Sequence, residues 1–123
     1  MYTVTIEKSF CASHQLRDYD GPCARLHGHN WKVRVEVSTE SLDKAGMAMD
    51  FVDLESATWG IVGKLDHQHL NELPPFDQIN PTAENVVRHV FENLIQKLPE
   101  NISLRRVDLW ETELYKVSYV PEN

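Results

Sequence analysis

Cysteine is scarce in this chain, with only Cys11 and Cys23 among 123 residues. One pair is too few for the disulfide framework of small secreted domains, so free thiols in a reducing compartment are expected. Basic charge is scarce as well: 12 Lys and Arg stand against 19 Asp and Glu, a formal net charge of -7. That argues against nucleic-acid or anionic-membrane partners, because both rest on clustered cations. No apolar run approaches the ~20 residues of a membrane span. Met1–Phe10 shows no basic region followed by an apolar one, hence no visible export signal, and a cytoplasmic location is expected. Repeats, low-complexity tracts and linkers are also missing, so residues 1–123 are read as a single domain. Its 41% hydrophobic and 25% charged composition is that of a soluble globular protein.

Histidine is where the sequence becomes specific. From Tyr2 onward the apolar residues Tyr2, Val4, Ile6, Phe10 and Ala12 take even positions, and His14 shares that parity. From Trp31 to Val37 they take odd positions, and the run extends backwards through His29 to His27. Strand side chains alternate faces, so all three imidazoles should point to the apolar side. Antiparallel pairing with Phe10 opposite Val33 and Ile6 opposite Val37 would set His14 opposite His29. Facing Cβ atoms then lie about 5 Å apart, which suits a shared ion. Gly28 lets the backbone bend between two ligands. Three imidazoles on zinc leave a fourth position open, which separates a catalytic site from a closed structural one.

The remaining pattern is strand, strand, helix, helix, strand, strand. Asp50 caps a run with Phe51, Leu54, Ala57, Thr58, Ile61 and Leu65 at helical spacing, weakened by Gly60 and Gly63. Pro74, Pro75 and Pro81 make Asn71–Pro81 a connection. Thr82 caps a second helix through Val86, Val87, Val90, Phe91, Leu94 and Leu98, closed by Pro99. Alternation returns through Val107, Leu109, Tyr115, Val117 and Tyr119, with a turn near Thr112–Leu114. The expected class is α+β, a four-stranded antiparallel sheet with two helices on one face. Its open edges invite self-association.

Other residues could carry chemistry. Cys23, four residues before His27, can serve as a thiolate base near a cation, as a fourth ligand in a closed site, or as an incidental loop residue. Cys11, between Phe10 and Ala12, reads as a small residue packed in the sheet. Asp66 beside His67 is the pairing that tunes an imidazole for proton transfer, although helix ends also carry such residues for capping and solubility. His69 and His89 read as ordinary polar residues. Glu111 has the parity of Val107 and Leu109, so a carboxylate is expected on the apolar face. It needs a donor there, either a ligand edge with two adjacent N–H groups or an Arg at a subunit contact.

Cys23-Ala24-Arg25-Leu26-His27-Gly28-His29-Asn30, Leu65-Asp66-His67, Pro81-Thr82-Ala83-Glu84-Asn85 and Trp110-Glu111-Thr112 together resemble the 6-pyruvoyltetrahydropterin synthase superfamily. Within it, the short gap between Cys23 and His27 is similar to the queuosine-pathway 6-carboxytetrahydropterin synthase branch. The resemblance implies a tunnelling fold whose subunits join their sheets into a barrel, giving a homo-oligomer, a hexamer built as a dimer of trimers, with active sites between subunits. It implies Zn2+ on His14, His27 and His29, Cys23 as proton-abstracting thiolate and Asp66–His67 as a relay dyad. Glu111 and Thr82 would contact the pterin. Arg17 and Arg25, which flank the site in sequence, are candidates for the triphosphate. The implied reaction converts 7,8-dihydroneopterin triphosphate to 6-carboxy-5,6,7,8-tetrahydropterin, acetaldehyde and triphosphate. Alternatives are 6-pyruvoyltetrahydropterin synthase, a dihydroneopterin side-chain lyase, or a non-catalytic protein with a structural zinc.

Overall fold

The computed structural model describes residues 1–122. Two thirteen-residue strands, β1 (Tyr2–His14) and β2 (His27–Thr39), form its spine and pair antiparallel over their whole length. Their alternation is the cause: Ile6, Phe10, Ala12 and His14 are buried from β1, and Trp31, Val33, Val35 and Val37 from β2. Helix α1 (Phe51–Val62) starts where the Asp50 side chain accepts a hydrogen bond from Val52 N at 2.8 Å. It stops at Gly63, where a Cβ would meet Trp59 O at 2.6 Å, so no larger residue fits without a shift. Helix α2 (Ala83–Leu94) is capped by Thr82, whose hydroxyl accepts from Asn85 N at 3.1 Å. Strands β4 (Ser103–Thr112) and β5 (Tyr115–Tyr119) complete the apolar floor. Leu54, Ile61 and Val62 from α1, with Val86, Val87, Val90, Phe91 and Leu94 from α2, join the inward sheet residues in one core.

The sheet has five strands, not the expected four. A two-residue strand, β3 (Gln68–His69), follows α1 and pairs parallel with β1 through Ala12↔Gln68 and Ser13↔His69. The order is β3-β1-β2-β4-β5. So short a strand carries no periodicity for a sequence reading to detect, yet it brings the Asp66–His67 corner to the His14 end of β1.

The register also differs from expectation. Phe10 faces Trp31, Ile6 faces Val35 and His14 faces His27, each two residues from the expected partner. A two-residue shift preserves parity, so the histidines keep their face although their pairing changes. Phe51 (62% exposed) and Tyr115 (68%) lie outside the core despite their spacing. Cys11 is exposed rather than packed inside the sheet, because the face opposite Phe10 and Ala12 is open here.

Candidate metal centre

His14, His27 and His29 converge as their parity requires. Ring centroids lie 4.4 Å apart for His14–His27, 4.7 Å for His27–His29 and 5.3 Å for His14–His29. One ligating atom from each, with one carboxylate oxygen of Glu111, forms a group within 4.8 Å of one another. The backbone sets the tautomers of two rings. His14 Nδ1 donates to Pro81 O at 2.7 Å and His27 Nδ1 donates to Arg25 O at 2.6 Å. With the proton on Nδ1, each Nε2 presents a lone pair, the arrangement that orients metal-binding imidazoles. The buried Nε2 of His14 has no hydrogen-bond partner, and that of His29 has only the Glu111 carboxylate, 2.9 Å away. An acceptor orphaned in a folded core is costly, and an ion held between these rings satisfies it. Trp31, fully buried, presses edge-on against His14 at 5.0 Å and His29 at 5.5 Å.

Glu111 reaches this group through an irregularity. Between β4 and β5 the register shifts at Trp110/Thr112, leaving Glu111 as the bulged residue. Bulges re-aim side chains next to functional sites. Its Oε1 lies 2.9 Å from His29 Nε2 and 3.8 Å from His14 Nε2. The fourth member of the group is therefore this carboxylate, and Cys23 is not part of it.

Burial holds the His14 and His29 pKa values below their ordinary 6.5; the Pro81 carbonyl opposes this at His14 and Glu111 opposes it at His29. Both rings therefore favour the neutral, ligating form when folded, whereas unfolded they titrate normally. Below about pH 6.5 the unfolded chain binds more protons, so these rings' contribution is present above that pH. It is lost as pH falls from there through the lower folded values. Thermal unfolding of metal-free protein should show a midpoint falling across that window, and His14→Gln should flatten the fall. A wild-type profile no steeper than the variant's would contradict the assignment.

Asp66 and His67 lie in the turn just ahead of β3. Asp66 Oδ2 lies 2.9 Å from His67 Nδ1, and Oδ1 accepts from Cys11 N at 2.9 Å. The Cys11 amide, followed by the His67 ring, holds the Asp66 carboxyl below its ordinary range. His67, with Cys11, Ser13, His29 and Asn30, lines an open cavity of about 440 Å³. Sequence reasoning missed three of these. Cys11 donates to Asn30 Oδ1 at 2.9 Å, and Ser13 Oγ lies 2.9 Å from His69 Nδ1. Their outward parity was the available signal.

Cys23 sits in a 3-10 turn, Pro22–Ala24, where its carbonyl accepts from Leu16 N at 3.0 Å. Arg25 is exposed beside it. Arg17 has another post. Its guanidinium donates to Phe76 O at 2.8 Å and Ile79 O at 3.1 Å, and its amide donates to Asn80 Oδ1 at 2.8 Å. These bonds clamp the segment after β1 to the connection ahead of α2. Thr82, as the α2 cap, adjoins Pro81, whose carbonyl anchors His14.

Residues 3–122 match the family described as 6-pyruvoyl tetrahydropterin synthase. A protein of Archaeoglobus fulgidus provisionally named 6-carboxy-5,6,7,8-tetrahydropterin synthase is 39% identical, the alignment covering 89% of this chain and 88% of that one. A dihydroneopterin monophosphate aldolase of Pyrococcus furiosus is 36% identical over 84% and 83%. The Caenorhabditis elegans 6-pyruvoyl tetrahydropterin synthase superposes with a TM-score of 0.86 at 27% identity, covering 99% of this chain and 98% of that one. The match extends over nearly the whole length, and the chain is a member of the 6-pyruvoyl tetrahydropterin synthase family.

Proposed function

We propose that this protein is a zinc-dependent lyase that converts 7,8-dihydroneopterin triphosphate to 6-carboxy-5,6,7,8-tetrahydropterin, acetaldehyde and triphosphate, a step toward 7-deazapurines of the queuosine type. One observation carries the reading. Three imidazoles, one with an unpartnered buried Nε2, converge with a carboxylate, and His29 of that group shares an open cavity with His67, the ring that Asp66 holds. Three imidazoles suit zinc, which when bound supplies Lewis acidity to the substrate's side-chain oxygens.

The chain's own residues divide the remaining work. His14, His27 and His29 hold the ion, with the Pro81 and Arg25 carbonyls fixing two of the rings. Glu111, aimed by its bulge, accepts hydrogen bonds from the pterin. Cys23 removes a proton from the side chain as thiolate. His67, oriented by Asp66, moves a proton on the other face. Thr82 contacts the pterin, and Arg25 contacts the triphosphate. The Arg17 donors already serve loop carbonyls, so Arg25 carries that task alone of the two.

That scarcity of cations favours one second reading. No Lys or Arg is among the residues lining the cavity, which suits a less highly charged substrate and a cleavage like the aldolase relative's. Incubating zinc-loaded protein with dihydroneopterin triphosphate, and separately with the monophosphate, then weighing the pterin product, decides between them. The carboxy-forming reading expects one side-chain carbon at the carboxyl level from the triphosphate. A hydroxymethyl product from the monophosphate would establish the aldolase reading instead. A product keeping all three side-chain carbons would mean pyruvoyl formation and would overturn both.

A further inference from the structure

A second group of ligating side chains, two of them on the cavity wall, lies apart from the histidine trio. Cys11 Sγ, a carboxylate oxygen of Asp66 and a ring nitrogen of His67 lie within 4.8 Å of one another. The backbone locks them together. Cys11 N donates to Asp66 Oδ1 at 2.9 Å, and His67 N donates to Cys11 O at 2.5 Å. His67 is held at a φ of 60°, in the left-handed region that residues with side chains rarely occupy. Strain of this kind persists only where the surroundings over-determine it, and it gathers at functional sites. Asp66 Oδ2 also lies 2.9 Å from His67 Nδ1, which fixes the ring beside the carboxylate. Cys11 and His67 both line the open side of the cavity, so an ion has a path in and water can complete its shell.

We propose that Cys11, Asp66 and His67 form a second, solvent-facing site for a zinc-like divalent cation, separate from the His14–His27–His29 centre. A thiolate, an imidazole and a carboxylate are a borderline-soft set, which selects zinc or cobalt over magnesium or calcium. Binding releases the Cys11 thiol proton and replaces its hydrogen bond to Asn30. One consequence rests on the function proposed above: an ion on His67 occupies the proton relay, so excess zinc inhibits turnover.

Titrating metal-free protein with Co2+ while following the thiolate-to-cobalt charge-transfer band tests the site without any pterin. Two equivalents are expected, the weaker one bringing the band. Cys11→Ser should keep the tighter equivalent, lose the band and bind the second ion roughly tenfold or more weakly. Cys23→Ser should leave both equivalents and the band in place. A single equivalent with no thiolate band overturns the proposal, as does a band that vanishes with Cys23→Ser and survives Cys11→Ser. In a turnover assay, excess zinc should inhibit the wild type and spare Cys11→Ser. Equal inhibition of both would overturn the regulatory consequence. Failure of the proposed pterin chemistry would leave the cobalt titration unaffected, so the two ideas fall separately.

Discussion

His27→Ala should lose the tightly bound zinc and turnover together, whereas Cys23→Ala should keep that zinc and lose turnover alone. In the proposed centre His27 is one of three ligating imidazoles, its ring fixed by the Arg25 carbonyl at 2.6 Å. Losing the ion removes several kcal/mol of charge stabilisation, and at 1.36 kcal/mol per decade kcat/KM should fall by roughly three orders of magnitude or more. Cys23 is outside the His14–His27–His29–Glu111 group, so its removal should not release the ion. A missing general base costs about 10²- to 10⁴-fold. Metal content by mass spectrometry, measured beside kcat/KM, separates the two effects. If Cys23→Ala released zinc and unfolded the protein, the thiol would be a structural ligand and the open-site chemistry would fail.

Trp31→Ala should be the most destabilising single change in the sheet, costing about 3–5 kcal/mol. Trp31 is wholly buried, stacks on Phe10 with centroids 6.0 Å apart, and its indole N–H donates to Ala12 O at 3.2 Å. Against a typical total stability of about 5–15 kcal/mol, that is a large share. For a chain of this length it corresponds to a fall in Tm of roughly 10–20 °C. The indole also bears edge-on against His14 and His29, so zinc should bind more weakly in the folded variant. Trp31→Phe keeps most of the apolar area and should lie between the two. Thermal unfolding by circular dichroism, with metal affinity from a chelator competition, checks both parts. A Tm for Trp31→Ala within about 3 °C of wild type would contradict the packing argument.

The strand pair and both helices were legible because their signals are local. Alternation at Ile6, Phe10 and Ala12 and at Trp31, Val33 and Val35 marks the faces. Asp50 and Thr82 cap the helices by side-chain hydrogen bonds that belong to the residue type itself. The register was not legible, since period two names a face and not a partner. Arg17 looked like a free cation because nothing nearby in sequence reveals the carbonyls of Phe76 and Ile79, about sixty residues on. Cys11 looked buried because its neighbours are apolar, whereas its own parity points outward.

Sequence by itself determined which side chains share a face: three imidazoles and a later carboxylate on the apolar side of one sheet. Tertiary structure decided what that face meets. It chose His27 as the partner of His14, set Pro81 behind that ring, bulged Glu111 into the group and, by pairing the two-residue strand that follows Asp66–His67 with β1, brought His67 to the cavity. Side-chain direction follows from backbone period, a local property, whereas the distance between residues far apart in sequence is set by how the whole core closes.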